Sequence, residues 1–557
     1  MTTEDPAEQL LCPPKDKEEY PPVYRLPSAY NPLSTFRLPP GETRHYQQQY
    51  ADIYFLRLAR LKPAVAELAA AEWEEFTIAG EHARRVDRVL DVRQGELCWV
   101  VGTVYMDLPL KPNILDDISR EHWTAAPPPR KTYLDPSNQG GTQTMLEDES
   151  GRLRLTGTLL HSALLVTGAV VAVLGTENAN GDFEVVDVKV PDLPPQPARW
   201  ERDTTEPGTA KRKRDSTGPS DGAPRKKIAL VSGLGITGTS GDTVALALLA
   251  NYLLGYAEGD SKQEETGSIP TRSAQISRLI IAGNSLGSDV SASLEEQDEN
   301  AAVKPNKKRQ AKKYGYDASA YNASPITHLD NFLAEILPSI PITLMPGETD
   351  PANFALPQQE IHRAMFPRSR NYCSPPRAGL DGPSSEPGWL DTVTNPWQGD
   401  VEGWRLWGCS GQNVDDVLRY VSLDNDDNNN GNENGEDSNG DTRLRLMEAM
   451  LRWRCAVPTA PDTIWCYPFQ DYDPFVLQAC PHVFFVGNQP TFRTAVIEQS
   501  MSSSSMDMEG EYQPSRVRLV TVPRFSETGE MVLLDTETLE VEVVRFGTWE
   551  SMNNGET

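Results

Sequence analysis

The chain has 557 residues, a hydrophobic fraction of 38% and a formal net charge of −28. This length allows two or three domains with hydrophobic cores, while 45 prolines and 40 glycines indicate long polar segments between them. Duplex DNA repels such a chain on average, because DNA binding needs Lys and Arg to displace counterions from phosphates. No apolar run is long enough to predict a membrane span, and the acidic start of the chain is not typical of a secretory signal.

The cysteines indicate a reducing compartment. Their number is odd and no two form a CxxC pair, so neither a disulfide framework nor a zinc ribbon is predicted. The seven are Cys12, Cys98, Cys373, Cys409, Cys455, Cys466 and Cys480.

Residues 1–42 are rich in proline and predict an extended arm. Residues 43–191 predict a helix followed by a small β-barrel. The helix should run from His45 to Trp73, with a break or kink at Pro63. Alternating strands at 97–105, 153–159 and 169–190, joined by turn signals such as Asn180-Gly181, make an OB-type barrel the leading expectation.

Residues 192–227 predict a linker with two basic clusters. The clusters are Lys211, Arg212, Lys213 and Arg214, followed by Arg225, Lys226 and Lys227. Ten residues separate them, which is typical of a bipartite nuclear import signal, and the alternative is a solvated charge run. We expect a nuclear protein.

Residues 228–547 alternate strands and helices and predict an α/β domain, so the expected fold class is an α+β multidomain chain. We expect strands at 228–231, 279–282, 342–345, 404–407, 483–486 and 517–522, and a hairpin over 532–544. Helices are expected at 243–256, 326–337, 414–421 and 444–453. Insertions are expected near 257–274, 373–391, 424–441 and 498–514, and a tail at 548–557.

Small and polar residues follow four of these strands. The loops are Ser232-Gly233-Leu234-Gly235, Gly283-Asn284-Ser285-Leu286-Gly287, Pro346-Gly347-Glu348-Thr349-Asp350 and Gly487-Asn488-Gln489-Pro490. Their order resembles that of the calcineurin-like metallophosphoesterases, whose loops carry Asp and His ligands for two metal ions. The aligned positions here are Ser232, Gly235, Asn284, Glu348, Thr349, Asp350, Asn488 and Gln489, and only Asp350 matches an acidic ligand position. Neutral amides and hydroxyls cannot replace such a cage, so we expect no metal, no cofactor and no catalytic residue.

Longer sequence motifs carry a more specific family resemblance than the four loops do. They include Met345-Pro346-Gly347-Glu348, Leu356-Pro357-Gln358-Gln359, Ser410-Gly411-Gln412-Asn413-Val414, Pro458-Thr459-Ala460-Pro461-Asp462-Thr463, Cys480-Pro481-His482-Val483 and Leu519-Val520-Thr521-Val522-Pro523. In this order they resemble the small, B-type subunit of eukaryotic DNA polymerase delta over about residues 20–547.

The resemblance implies an OB domain joined to an inactive phosphoesterase-like domain. It also implies a non-catalytic scaffold that bridges the Cys-rich C-terminal domain of the catalytic subunit to a further accessory subunit in DNA replication and repair. The sliding clamp would be reached directly or indirectly, DNA contact would be peripheral at most, and no membrane is involved.

Two alternatives stay open from the residues. One is an active metal-dependent phosphodiesterase or nuclease; the other is an OB-based single-strand-DNA-binding protein using Trp99, Tyr105 and Phe183. Core or interface roles are favoured for these aromatics, and structural roles for Asp473 and His482, which could otherwise form an acid/base pair. The basic run at 304–313 is expected to be a solvated loop.

Overall fold

We describe a computed structural model that covers residues 25–41, 44, 51–78, 80–112, 130–135, 141–199, 225–238, 243–256, 272–287, 323–374, 387–421, 438–499 and 514–547. The predicted first basic cluster of the linker and the basic run at 304–313 lie outside the described residues, as do most of the predicted insertions and the tail.

A small closed barrel follows the first helix, as predicted. Its strands pair in the order β5-β6-β7-β9-β8, and β8 returns to β5; β4 adds a short parallel pairing beside β5. This cyclic order, with a parallel β7–β9 contact, is an OB-type Greek key. The strands are β4 Arg84–Val86, β5 Leu97–Asp107, β6 Gln143–Glu147, β7 Arg152–Thr156, β8 Val170–Glu177 and β9 Asp182–Lys189. A two-stranded ribbon precedes them, with β2 at Thr77–Ile78 and β3 at Glu81–His82.

Helix α1, Ala51–Trp73, packs on this barrel and passes through Pro63 without interruption. Leu61, Val65 and Trp73 share a core with Trp99 on β5. A proline inside a helix costs about 3 kcal/mol. Burial of this apolar face against the barrel offsets that cost, so the predicted break at Pro63 is wrong.

The α/β domain contains two stacked six-stranded sheets. The first has the order β13-β12-β11-β10-β19-β20 and the second the order β1-β14-β15-β16-β18-β17. First-sheet strands are β10 Lys227–Val231, β11 Ile276–Ala282, β12 Ile342–Met345, β13 Leu390–Thr392, β19 Glu530–Asp535 and β20 Val541–Arg545. Second-sheet strands are β1 Tyr30–Pro32, β14 Trp397–Val401, β15 Trp404–Cys409, β16 Val483–Gln489, β17 Arg493–Glu498 and β18 Arg516–Pro523. The helices are α2 Thr243–Leu254, α3 Ser324–Ile336, α4 Gln412–Leu418, α5 Ser438–Arg452 and α6 Phe525–Thr528.

Alternation along the strands builds the layers, because successive side chains point to opposite faces of a sheet. Ile228 and Leu230 of β10 meet Phe485 of β16 between the sheets. Ala229 and Val231 instead face α2 and α3. The result is a four-layer order of helices, first sheet, second sheet, and then α4, α5 and the barrel. The predicted strands and helices of this domain are confirmed, although strands β13, β14 and β17 and the short helix α6 were missed.

Residues 25–41 are docked on the α/β domain, which corrects the expectation of an arm along its whole length. Strand β1 extends the second sheet through Tyr30 opposite Val401. Arg25 donates to the carbonyls of Ser273, Ile276 and Leu253, each at 2.6 Å.

The predicted linker is also shorter than 192–227. Leu193 is fully buried, and Arg454 donates to the Asp192 and Leu193 carbonyls at 2.6 and 3.1 Å. At the other end, β10 already begins at Lys227. Similarly, α5 begins at Ser438 and β13 at Leu390, inside two of the predicted insertions.

The barrel and the α/β domain share one hydrophobic core. Val104 and Phe183 of the barrel belong to the same buried cluster as Met447 of α5 and Phe484 of β16. At its edge lies the Arg57–Asp473 ion pair, with the Arg57 Nε to Asp473 Oδ2 distance 2.8 Å and both side chains at most 1% exposed.

The Arg57 guanidinium also reaches three backbone carbonyls. It donates to the oxygens of Pro458 at 2.6 Å, Ala460 at 3.0 Å and Gly168 at 3.4 Å. A Cβ on Gly168, where φ is +88°, would lie 1.9 Å from the Pro458 carbonyl oxygen, so glycine is required. One side chain therefore joins α1, the barrel and the α/β domain.

Replacing Arg57 with Met should destabilise the protein strongly. The change leaves the Asp473 carboxylate buried without its cation, which typically costs about 3–5 kcal/mol. We expect a large fall in the urea unfolding midpoint. The double variant Arg57→Met/Asp473→Leu should recover part of the loss, because no buried charge is left unpaired.

The matched control is Arg37→Met. The Arg37–Glu360 pair has an N–O distance of 3.3 Å, and its side chains are 56% and 48% exposed. Exposed pairs contribute about 0–1 kcal/mol. Equal midpoint shifts in the two Met variants would show that the buried pair does not hold the domains together.

Candidate functional site

The four predicted loops meet at one edge of the sandwich. Strands β10, β11 and β12 are parallel neighbours, so their carboxyl ends lie side by side. The Gly233 N–H donates to the Gly283 carbonyl at 2.9 Å, and the Gly235 N–H to the Asn284 carbonyl at 3.2 Å. Asn488, at the end of β16, brings in the second sheet through an N–H bond of 2.8 Å to Ser232 Oγ. The four loops singled out in the sequence therefore form one cluster in the structure.

Ser232 and Asn488 fasten the two sheets together. The Ser232 hydroxyl is fully buried and donates towards the Val522 and Pro523 carbonyls, both at 3.0 Å. Asn488 Nδ2 donates to the Ser410 carbonyl at 2.7 Å. Both side chains are used in protein contacts that link strand ends.

Asp350 is enclosed by backbone N–H groups. Its carboxylate accepts hydrogen bonds from Leu286 at 2.9 Å, Gly347 at 2.9 Å and Ser285 at 3.2 Å. Burial raises the pKa of the Asp350 carboxyl to about 6, although these backbone hydrogen bonds act to lower it. The carboxylate therefore organises the second and third loops.

The Asn284 side chain lies so close to Gly347 that no residue larger than glycine fits at position 347. A Cβ on Gly347 would lie 2.2 Å from Asn284 Oδ1. That oxygen accepts the Thr349 N–H at 3.4 Å, and Thr349 Oγ1 donates to the Leu286 carbonyl at 2.5 Å. Glu348 points into solvent.

Gln489 is held in the fourth loop. Its Nε2 donates to the Gly487 carbonyl at 2.9 Å, and its Oε1 accepts from Arg443 Nη1 at 2.5 Å. Gly235 completes the set of predicted positions, and a Cβ there would meet Ser526 at 2.9 Å.

A buried amide network beside the loops was not predicted. Asn395 Nδ2 donates to oxygens of Ser410, Gln412 and Gln358 at 2.7 to 2.8 Å. Gln358 Nε2 in turn reaches the Gly347 carbonyl at 3.1 Å. Gln358 and Ser410 lie in two of the motifs that carry the family resemblance, whereas Asn395 lies in none of them.

A metal pair does not fit these residues. Within the described ranges, no group of three or more His, Cys, Asp or Glu side chains is placed to hold a metal ion. The cluster offers one buried carboxylate, that of Asp350, which already accepts three N–H hydrogen bonds, together with the exposed Glu348, neutral amides and hydroxyls. Transition metals at such sites need imidazole and carboxylate ligands, so this donor set would not retain them.

Asp473 and His482 do not form an acid/base pair. Asp473 binds Arg57, whereas His482 Nδ1 accepts the Arg405 N–H at 3.1 Å. Burial, followed by the nearby Arg405 cation, lowers the pKa of His482 to about 4. Both side chains have structural partners.

The aromatic residues of the barrel give little support to the binding of single-stranded DNA. Trp99 and Phe183 are buried in cores. Tyr105 lies between Lys111 Nζ and the Arg152 guanidinium, at 4.3 and 4.8 Å from its ring centroid. Those cations are paired with Asp462 and Glu147, so the ring is not a free stacking platform.

The second predicted import cluster is partly engaged in the fold. Lys226 Nζ contacts the Pro27 carbonyl and the Glu402 carboxylate, both at 2.9 Å, and Lys227 pairs with Glu542. Arg225 is exposed.

Comparison with known proteins decides the family. Residues 49–188 match the DNA polymerase delta subunit OB-fold domain, and residues 228–494 match the family of DNA polymerase alpha/epsilon B subunits. The DNA polymerase delta small subunit of Saccharomyces cerevisiae is 35% identical over 528 residues, which cover 93% of each chain. The chain belongs to the DNA polymerase delta small-subunit family.

Other relatives agree over similar lengths. The small subunit of Arabidopsis thaliana is 33% identical, covering 94% of this chain and 97% of that one. DNA polymerase delta subunit 2 of Drosophila melanogaster is 32% identical, covering 94% and 98%. The protein is thus an accessory small subunit of DNA polymerase delta. Across the described residues, none of the helices could span a bilayer.

Manganese should neither bind nor support cleavage at the loop cluster. A native-state ligand present at about 100 times its Kd would add about 2.7 kcal/mol of stability. We expect no rise in Tm with Mn²⁺, and the same background hydrolysis of bis-p-nitrophenyl phosphate for the wild type and for Asp350→Asn.

Manganese-dependent hydrolysis lost in both Asp350→Asn and Asn284→Ala would restore the phosphodiesterase hypothesis. Retention of that hydrolysis in both variants would instead point to a contaminant.

Proposed function

We propose that this subunit is a non-catalytic scaffold built on a phosphoesterase-type domain that has lost its metal ligands. It holds the Cys-rich C-terminal domain of the polymerase catalytic subunit and a further accessory subunit. The observation that carries the proposal is the loop cluster, where every predicted ligand position except the exposed Glu348 makes a packing contact or a hydrogen bond within the protein. Asn488 Oδ1 is buried without a hydrogen-bond partner, but it is the oxygen of a neutral amide and no imidazole or second buried carboxylate stands beside it among the described residues.

The rigidity of the chain supports a bridging role. A bridge must fix the relative positions of its partners, and two domains that share one core cannot rotate independently without exposing apolar surface. The common core and the Arg57 contacts meet this requirement.

The charge balance supports protein partners. With a net charge of −28, the chain would be held at DNA by its partners and would make peripheral contacts at most. The sliding clamp would then be reached directly or through another subunit. The nuclease alternative is weakened by the donor set, and the strand-binding alternative by the buried or enclosed barrel aromatics.

Native mass spectrometry of the complex purified through this chain tests the scaffold. We expect one polymerase catalytic subunit per copy of this chain, together with a further accessory subunit. A truncated catalytic subunit without its Cys-rich C-terminal domain should be lost from the complex, because the proposed contact is removed. A chain recovered alone with two bound metal ions would overturn the proposal.

The basic clusters are proposed to direct nuclear import. A fluorescent reporter carrying residues 205–230 should accumulate in the nucleus, and replacement of Lys211–Arg214 by glutamine should abolish accumulation. Because Lys226 and Lys227 are paired in the fold, the first cluster should dominate in the full chain. A reporter that stays cytosolic would favour import together with a partner.

A further inference from the structure

A surface segment on the first-sheet side of the molecule is anchored to helix α3 and to the core beneath it. It consists of two short 3-10 turns, Arg363–Met365 and Ser369–Cys373. Phe366, between them, is fully buried in the core formed with α2 and α3. The Asp330 carboxylate on α3 accepts the Arg368 and Ser369 N–H groups at 2.8 and 3.0 Å. The segment is therefore a fixed platform.

Three exposed arginines stand on this platform. They are Arg363, Arg368 and Arg370, and no ion pair joins any of their guanidinium groups to a carboxylate of the described residues. Three cations on one short segment repel one another, and binding of an anion reduces that repulsion. The three arginines make this segment locally basic in a chain whose net charge is −28.

Apolar and aromatic side chains complete the surface. Met365 and Tyr372 are half-buried, and Trp389, just before β13, is 37% exposed. Gly388 brings Trp389 next to the second turn, since a Cβ there would lie 2.4 Å from the Tyr372 carbonyl oxygen. We call this set the Arg–Trp surface; it comprises Arg363, Met365, Arg368, Arg370, Tyr372 and Trp389.

The composition favours a protein ligand over nucleic acid. Arg, Trp, Tyr and Met are the residue types enriched at protein–protein interfaces, and Arg, Trp and Tyr dominate hot spots. Binding of single strands needs aromatic faces along a basic groove, and duplex binding draws on many phosphate contacts. A surface with three exposed arginines and one partly exposed Trp matches neither of these nucleic-acid patterns.

We propose that the Arg–Trp surface binds an acidic segment of a partner protein. Its carboxylates form charge-assisted hydrogen bonds with the three arginines, for which the planar guanidinium is well suited. An apolar side chain between those carboxylates packs against Trp389 and Met365. The small patch and its exposed charges make this contact dependent on salt.

Site-specific cross-linking in the complete polymerase complex tests the proposal. A photo-cross-linking amino acid replaces Ala364, which is exposed within the first turn. We expect a cross-link to an Asp/Glu-rich peptide of another polypeptide. The triple variant Arg363→Glu/Arg368→Glu/Arg370→Glu should lower its yield at least tenfold. Changing the carboxylates of the cross-linked peptide to lysine should restore the yield in the triple variant.

The matched control makes the same charge change elsewhere. Arg516 and Arg545 are exposed and Arg524 is half-buried, and they pair with Glu498, Glu530 and Glu527, respectively. Their triple Glu variant should leave the cross-link yield unchanged.

Four results would overturn the proposal: no cross-link, a cross-link to added primer–template DNA, one confined to residues 375–386 of this chain, or equal loss of yield in the control. Native mass spectrometry of the triple variant separates this contact from the proposed bridge, because loss of the acidic segment alone leaves the catalytic subunit bound.

Discussion

The buried Arg57 guanidinium is the contact on which the arrangement of the two domains depends. It lies on α1, pairs with Asp473 and reaches carbonyls of both the barrel and the α/β domain. Burial acts to lower the pKa of Arg57, but nearby negative groups including Asp473 raise it overall, so the cation is retained. A buried charge is tolerated only where its partners are fixed, and those partners belong to parts of the chain hundreds of residues apart. The geometry of this site therefore requires the barrel to dock in one orientation.

The common hydrophobic core also holds the barrel against the α/β domain. Apolar faces of the barrel and of α5 are buried against each other, which non-specific collapse could achieve in many orientations. The directional bonds of Arg57 and the close approach at Gly168 select one of them. Rigidity of this kind suits the bridging role that we propose for this subunit.

The loop cluster illustrates how an α/β edge can be closed by polar contacts. Parallel strands bring their carboxyl ends together whether or not a ligand is present. Here Ser232 and Asn488 bind strand ends and each other, and Asn395 binds Ser410, Gln412 and Gln358. Asp350 is surrounded by N–H donors. Most of the polar groups at this edge are thus used in holding the two sheets together, and we expect binding surfaces on the outer faces, such as the Arg–Trp surface.

The sequence by itself determined the local elements and their grouping. Strand periodicity located the barrel, most strands of the first sheet and half of those of the second. Glycine and asparagine after strands located the four loops. These signals depend on neighbouring residues, which is why the sequence displays them. Tertiary structure alone decided that Pro63 lies within a continuous helix, that residues 25–41 form an edge strand and anchor, and that Lys227 begins a strand. It also decided the partners of Arg57 and Asn395. Each of these outcomes depends on contacts between residues far apart in the chain, whose burial outweighs the local preference that the sequence displays.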